Sequence, residues 1–205
     1  MKHAVILAHP NAESFCASIA RTCVEALSAL GHAADLRDLY AMGFDPQLKA
    51  RELPSEAGFH AASDVEAERR RLDDVDSFIF VYPFWFNAPP AMLKGYVDRV
   101  FGLNFGYAPG FGCVEPLLTG RKLLSFSTSG APEHWVNSTG ALEALMTVFD
   151  RHLAAVCGLS VVDHVHLGGI VSNMEADPAE EMLEKVRQTL RDAFPAARPS
   201  LRRNP

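Results

Sequence analysis

The sequence lacks several patterns that identify large classes of proteins. Its 205 residues carry a net charge of −6 and no Lys/Arg block, which argues against nucleic acid and anionic membranes as partners. No apolar run approaches the length of a membrane span, so we expect no membrane insertion. The four cysteines form no CxxC pair or metal-like spacing, which predicts no metal site and unpaired thiols in a reduced compartment.

Three further absences narrow the function and the location. No GxSxG elbow or HExxH helix is present, which weighs against a hydrolase. No GxGxxG follows the first β-rich run, so a six-stranded dinucleotide-binding fold is disfavoured. The early apolar run Val5-Ile6-Leu7 is too short for the core of a secretion signal, and we expect a cytoplasmic protein.

Short β-rich runs alternate with helical periods along the chain. The predicted strands cover residues 2–8, 33–39, 77–81, 122–127 and 159–167. The predicted helices cover residues 14–30, 65–72, 90–101, 140–156 and 178–194, and residues 102–120 are expected to form a long Gly-rich loop.

This alternation predicts an α/β protein with a parallel sheet covered by helices on both faces. Right-handed crossovers then restrict the topology to a doubly wound sheet. The chain length suits five strands in the flavodoxin-like order 2-1-3-4-5. We predict one domain over residues 1–195 and a C-terminal tail over residues 196–205.

Open sheets of this kind bind ligands outside the carboxyl ends of their strands. That rule brings together loop 1 (residues 9–15), loop 2 (residues 82–90) and loop 3 (residues 128–137). In loop 1, Ser14 precedes a helix whose free backbone N–H groups suit a phosphate, and His9 is a second donor for the same anion. Simpler interpretations, a helix cap for Ser14 and no function for His9, remain open.

Loop 2 carries the aromatic residues Phe84, Trp85 and Phe86 in succession. Consecutive residues of a loop point in different directions, so at least one ring is expected to face a cleft or a partner subunit. Asn87 supplies an amide that can donate to and accept from the edge of a heteroaromatic ring. The whole stretch from residue 82 to residue 101 therefore indicates an apolar surface for a planar ring.

Loop 3 begins with small residues, Thr128, Ser129 and Gly130, which let a ligand approach the backbone closely. An ordinary polar turn is the alternative. His134 and Trp135 either contact the ring of a ligand or lie on the surface. His164 and His166 share a face of the fifth strand, but they lack an acidic or cysteine partner at ligand spacing, which favours a structural role over a metal site.

Taken together, these motifs resemble the NAD(P)H:quinone oxidoreductases, the DT-diaphorase-like flavoproteins of flavodoxin-like fold. The matching motifs keep their order along the chain: AHP at 8–10 with SF at 14–15, DLYAMGFDP at 38–46, YPFWF at 82–86, PAMLKG at 90–95, DRVF at 98–101, TSG at 128–130 and CG at 157–158.

The resemblance implies a bound flavin, FAD with FMN as the alternative, and NAD(P)H as co-substrate. It implies that the flavin phosphates lie against His9, Ser14, Phe15 and Cys16, and that the isoalloxazine ring is lined by Pro83, Phe84, Trp85, Phe86 and Asn87. Thr128, Ser129 and Gly130 would contact the pyrimidine side of the ring. It also implies a homodimer with the active site at the subunit interface.

The chain departs from the family pattern at three places. Cys16 stands where larger members have an asparagine, and the C-terminal extension of those members is absent. Larger members also have a Tyr and a His after loop 3 that face the flavin. In this shorter loop Thr139 takes the position of the His, so His134 and Trp135 are the candidates for the catalytic positions.

The sequence therefore predicts an oxidoreductase that passes hydride from NAD(P)H through a flavin to a quinone or similar small acceptor. Because both substrates would use one site in turn, the expected kinetics are ping-pong. The alternative is a flavin-binding regulatory or electron-transfer protein without its own NAD(P)H turnover.

Overall fold

A computed structural model describes residues 1–54, 59–172 and 174–197. The main strands are β1 (Lys2–Leu7), β2 (Ala33–Asp38), β3 (Ser77–Pro83), β6 (Lys122–Thr128) and β7 (Ser160–Leu167), and a small hairpin consists of β4 (Tyr107–Pro109) and β5 (Val114–Pro116). The helices are α1 (Phe15–Ala29), α2 (Ser63–Leu72), α3 (Ala91–Val100), α4 (Glu133–Ser138), α5 (Ala141–Leu145), α6 (His152–Cys157) and α7 (Ala176–Ala193), with a 3₁₀ turn at Ala50–Glu52 and a π-helix at Met146–Arg151.

The five main strands form a parallel sheet in the order β2-β1-β3-β6-β7. Because β4 and β5 pair only with each other, this order is the flavodoxin-like 2-1-3-4-5 order, and the fold prediction is confirmed. The register aligns Leu7 with Val81, Val81 with Phe126, and Phe126 with Val165. The carboxyl ends of β1, β3, β6 and β7 consequently lie side by side at one edge.

Two apolar cores, one on each face of the sheet, hold the helices in place. Every residue of the central strand β3 is buried, and its side chains alternate between the two cores. Phe78, Phe80 and Tyr82 pack beneath α2, α3 and the helices from α5 to α6. Ile79 and Val81 pack beneath α1 and α7. Burial of each such side chain stabilises the fold by about 1.5–3 kcal/mol.

The segment after β2 is fixed tightly against α3. A Cβ atom on Gly95 would lie 2.1 Å from the backbone oxygen of Pro46, so only glycine permits this contact. The buried guanidinium of Arg99 donates to the carboxylates of Glu52 and Asp64 and to the carbonyl of Asp45. The close contact with Pro46 explains why Gly95 lies inside a helix, where a glycine normally lowers the stability of the helix by about 1 kcal/mol relative to alanine.

Three local predictions were wrong. Residues 102–120 are not a continuous loop, because β4 and β5 form a hairpin of three residues per strand within them. Residues 133–138 of loop 3 form the short helix α4. The helix predicted over residues 140–156 is interrupted by a π-helix. The strands of the hairpin and the helix α4 are too short to show a hydrophobic period in the sequence. Ala141, Leu145 and Phe149 keep helical spacing across the start of the π-helix, so the sequence does not indicate where the α-helix is interrupted.

The described part of the chain contains no helix that is both long enough and apolar enough to cross a membrane. The cytoplasmic location stays a prediction. Within the proposed tail, residues 198–205 lie outside the described residues.

Candidate active site

Backbone hydrogen bonds bring the three loops to one edge of the sheet. The N–H of Ala8, at the start of loop 1, donates to the carbonyl of Val81 at 3.0 Å. The N–H of Phe84 in loop 2 donates to the carbonyl of Thr128 at 2.7 Å. The predicted meeting of the loops at the carboxyl ends of the strands is therefore confirmed.

Side chains make two further contacts between the loops. The Sγ atom of Cys16 lies 3.2 Å from the Oγ1 atom of Thr128, which joins the start of α1 to loop 3. The rings of His9 and Trp85 lie with their centroids 5.7 Å apart, which joins loop 1 to loop 2. Burial raises the pKa of Cys16 to about 11, so this thiol stays protonated and acts as a packing and hydrogen-bonding group.

The first turn of α1 offers donors to an anion. Ser14 is the N-cap, and its hydroxyl accepts a hydrogen bond from the N–H of Ala17 at 3.2 Å. The N–H of Ser14 donates to Asn11, so the N–H groups of Phe15 and Cys16 are the ones in this turn that face outward without an intrahelical acceptor. No acidic residue occupies the first turn. The nearest acidic residue along the chain is Glu13, which precedes the N-cap and lines the cleft in front of the helix.

An open cleft of about 480 Å³ lies in front of this helix end. His9 lines it, and the Nδ1 atom of His9 accepts a hydrogen bond from the N–H of Asn11 at 3.0 Å. Burial lowers the pKa of His9, which favours the neutral ring. The Nδ1 atom also lies 3.2 Å from the carbonyl of Asn11, and the shorter contact with the N–H assigns the proton to Nε2. The Nε2–H group is then a donor in the same cleft. The far wall comprises Ile170, Val171, Ser172 and Met174, which sequence reasoning did not single out.

The three aromatic residues of loop 2 have different environments, as predicted. Phe84 is buried and packs edge-on against His166, whereas Trp85 is 46% exposed and Phe86 is fully exposed. Phe86 and Asn87 both have left-handed backbone conformations, with φ of 49° and 57°. They form a tight turn closed by the bond from the N–H of Ala88 to the carbonyl of Trp85 at 3.0 Å. A bulky residue in this conformation is strained.

The two predicted catalytic residues lie apart from these contacts. His134 and Trp135 are exposed on α4, and Trp135 is 50% exposed. Among the described residues, no hydrogen bond or aromatic contact connects either side chain to loop 1 or loop 2. Their catalytic role stays a prediction.

Sequence reasoning missed a chain of buried polar groups beneath loop 3. The carboxylate of Asp150 contacts His164, the imidazole of His164 contacts the hydroxyl of Ser127, and Ser127 contacts His166. His166 in turn contacts Ser129 at 2.9 Å. The described residues contain no group of three or more possible metal ligands. The acidic partner of the histidines is Asp150 of the π-helix, a long-range contact that no spacing rule indicates.

The strain at Phe86 leads to a prediction about stability. In the monomeric chain, Phe86→Gly should raise the free energy of unfolding by about 1 kcal/mol, because it relieves the left-handed conformation and removes no buried surface within the chain. Urea unfolding followed by circular dichroism measures this change. Phe111→Gly is the matched control, since Phe111 is equally exposed without a positive φ, and it should lower the free energy by about 0.5 kcal/mol. Shifts in the same direction for both variants would contradict the strain.

Comparison with known proteins identifies the same fold and related oxidoreductases. A family model described as "Flavodoxin-like fold" matches residues 1–190. A Haemophilus influenzae protein named "Uncharacterized NAD(P)H oxidoreductase" is 32% identical over 171 residues, covering 83% of this chain and 85% of that protein. The "Ribosyldihydronicotinamide dehydrogenase [quinone]" of Pongo abelii is 31% identical over 179 residues, covering 77% of each chain.

The solved structures add a similar result. The NAD(P)H:quinone oxidoreductase of Methanothermobacter marburgensis superimposes with a TM-score of 0.82 at 28% identity, covering 94% of this chain and 96% of that one. The resemblance found in the loops is thus confirmed over nearly the whole length of the chain. The chain belongs to the flavodoxin-like family and, within it, to the oxidoreductases of the NAD(P)H:quinone oxidoreductase group.

Proposed function

We propose that the protein is a flavin-dependent NAD(P)H oxidoreductase that reduces a quinone or a similar small acceptor by two electrons. The observation that carries the proposal is the joining of two different surfaces at one sheet edge. An anion-binding helix end lies on one side of loop 1, and the exposed aromatic groups of loop 2 lie on the other.

The helix end suits the flavin phosphate by its donor chemistry. The N–H groups of Phe15 and Cys16, the dipole of a helix of 15 residues and the Nε2–H of His9 all favour an anion in the cleft. The first turn of the helix holds no acidic residue, and the Glu13 carboxylate, which lines the same cleft, would face the anion from outside that turn. Ser14 thus serves as the helix cap and as part of the phosphate site.

The aromatic side suits the isoalloxazine ring. Trp85 is held over His9 and is half exposed, so it offers an apolar face at the mouth of the cleft. Pro83 and Phe84 are fixed by the sheet, and the Asn87 amide supplies polar contacts for the ring edge. On the opposite side Thr128, Ser129 and Gly130 would take the pyrimidine edge. FAD and FMN share the ring and the first phosphate, so either flavin suits this site, and the choice of FAD made from the sequence stays a prediction.

The bound flavin supplies the hydride chemistry, accepting two electrons from NAD(P)H and passing them to the acceptor. The chain orients the reactants and keeps the loops rigid. The contact between Cys16 and Thr128 fixes loop 3 against α1, and the turn at Phe86 and Asn87 fixes loop 2. Rigid placement of this kind lowers the entropic cost of bringing two reactants together.

We also propose that the protein is a homodimer. Phe86, Phe111 and Val148 are more than two-thirds exposed, and Phe86 lies beside the proposed ring site. Exposed aromatic rings of this size favour an interface, and a second copy of the chain would cover loop 2 and exclude water from the site.

The proposed dimer predicts two chains per particle in light scattering of the purified protein. Phe86→Ser should weaken the dimer, because it removes an exposed apolar side chain without affecting the core of the monomer. A monomeric particle for the unchanged chain at micromolar concentration would contradict the dimer.

The flavin site predicts a yellow protein with bound FAD or FMN, which the mass of the released cofactor identifies. Trp85→Ala should weaken flavin binding about tenfold, since it removes the ring face at the mouth of the cleft. Trp135→Ala, the matched change at a tryptophan of similar exposure, should leave flavin affinity unchanged, and its turnover tests the catalytic role predicted for Trp135. Equal flavin affinity for the Trp85 variant and the unchanged protein would remove Trp85 from the site.

The shared site predicts ping-pong kinetics. NAD(P)H oxidation measured with a benzoquinone acceptor should give parallel double-reciprocal lines, because NAD(P)⁺ leaves before the acceptor binds. Intersecting lines would exclude one shared site. A protein that binds flavin but does not oxidise NADH or NADPH would instead support the electron-carrier or regulatory alternative.

A further inference from the structure

A continuous path of hydrogen bonds crosses the sheet face beneath loop 3. The Oδ2 atom of Asp150 lies 2.6 Å from Nδ1 of His164, whose Nε2 atom lies 2.8 Å from the Oγ atom of Ser127. The same Oγ atom lies 2.8 Å from Nδ1 of His166, whose Nε2 atom lies 2.9 Å from Oγ of Ser129.

The path is buried at one end and open at the other. The side chains of Asp150 and His164 are at most 1% exposed, and Ser127 is fully buried. Ser129 is partly exposed and follows Thr128, which lines the cleft in front of α1. A proton on this path therefore reaches solvent through the partly exposed Ser129.

The hydrogen-bond donors permit one arrangement with a neutral His164. Its Nδ1–H donates to Asp150, so its Nε2 atom accepts from the hydroxyl of Ser127. Ser127 has one hydrogen to donate, so it must accept from Nδ1–H of His166. The Nε2 atom of His166 then accepts from the hydroxyl of Ser129.

A second arrangement contains one more proton. His164 is then an imidazolium beside the Asp150 carboxylate, and its Nε2–H donates to Ser127. Ser127 donates to Nδ1 of His166, and Nε2–H of His166 donates to Ser129. The hydroxyl of Ser129 is now free to donate to the carbonyl of Ala131, which lies 2.9 Å away. Every contact is satisfied in this state, and His166 has changed tautomer without becoming charged.

The groups around the path support a charge on His164 and an uncharged His166. Burial, followed by the charge of His164, lowers the pKa of His166 to about 4, and Lys185 of α7 acts in the same direction. His166 is therefore uncharged near pH 7 and can accept a proton on one nitrogen while it donates one from the other. Burial raises the pKa of Tyr82, which faces His164 edge-on, so Tyr82 stays protonated. Ser125 donates to the second carboxylate oxygen of Asp150 at 2.7 Å and holds it in place.

The geometry points to a proton relay, Asp150–His164–Ser127–His166–Ser129, that stores one proton on His164 and releases it at the Oγ atom of Ser129. This inference rests on the proposed function for its use. Reduction of a quinone by NAD(P)H transfers one hydride, which carries two electrons, and consumes one further proton to give the hydroquinone.

In the relay that further proton is the one that leaves Ser129. Each hydroxyl or imidazole on the path passes its hydrogen to the next group and receives another, so only N–H and O–H bonds are exchanged. His164 ends neutral, and the path takes a proton back from solvent through the partly exposed Ser129. Hydrogen ions and electrons balance with no further reactant.

The tautomer of His166 gives a test that does not depend on activity. The full chain, as purified and labelled with ¹⁵N-histidine, is titrated from pH 9 to pH 5 by NMR. We expect two coupled forms only: His166 protonated on Nδ1 beside a neutral His164, and His166 protonated on Nε2 beside an imidazolium at His164. A single tautomer of His166 throughout the protonation of His164 would overturn the relay.

Two serine variants separate the relay from simple packing. Ser127→Ala removes the hydroxyl between the imidazoles, so the tautomer of His166 should no longer follow His164. Ser77→Ala removes a buried hydroxyl on the neighbouring strand β3 that contacts His3, away from the path, and it should keep the coupled change. Identical titrations of the two variants would overturn the relay, and the titration of the unchanged chain decides the question if a variant does not fold.

Measurements of turnover then test whether the relay supplies the proton that quinone reduction consumes. Ser127→Ala should reduce kcat for the quinone about tenfold or more at pH 8 relative to Ser77→Ala, with the same flavin content, since proton transfer contributes about a hundredfold to such steps. Equal rates would show that the proton takes another route. If the unchanged chain binds flavin but does not oxidise NAD(P)H, the proposed function fails, whereas the NMR titration still decides whether the relay exists.

Discussion

The hydrogen bond from the N–H of Phe84 to the carbonyl of Thr128 is the contact on which the site depends. It extends the ladder between β3 and β6 by one residue beyond the pair of Pro83 and Thr128, so the strands remain paired where the loops begin. The aromatic residues of loop 2 and the small residues of loop 3 therefore leave the sheet together. Without that bond, the ladder between β3 and β6 would end at the pair of Pro83 and Thr128.

The two faces of the sheet carry different parts of the chemistry. On the face of α1, Thr128 contacts Cys16 at the start of the helix whose free N–H groups suit a phosphate. On the opposite face, the alternate residue Ser127 belongs to the buried polar path from Asp150. Since successive side chains of a strand point to opposite faces, one short segment of β6 serves both the anion site and the proton path.

Much of the fold and of the ligand-binding loops could be predicted from the sequence. Long apolar strands such as β3, and the helix that begins after Ser14, have strong local signals. The exposure of at least one aromatic ring of loop 2 also followed from local geometry. The left-handed turn at Phe86 and Asn87 did not, because neither residue is the glycine that favours it. The hairpin of β4 and β5 and the helix α4 were not predicted, because each element is too short to show a hydrophobic period in the sequence.

The sequence by itself determined the parallel sheet, its strand order and the three loops at its carboxyl edge, because these depend on apolar periodicity and on the handedness of crossovers. Only the tertiary structure decided which polar side chains meet. Ser127 and His166 become neighbours through the register of β6 and β7, and Asp150 reaches His164 because the π-helix buries both Phe149 and Asp150 against the sheet. Such contacts join distant segments, and no local pattern encodes them.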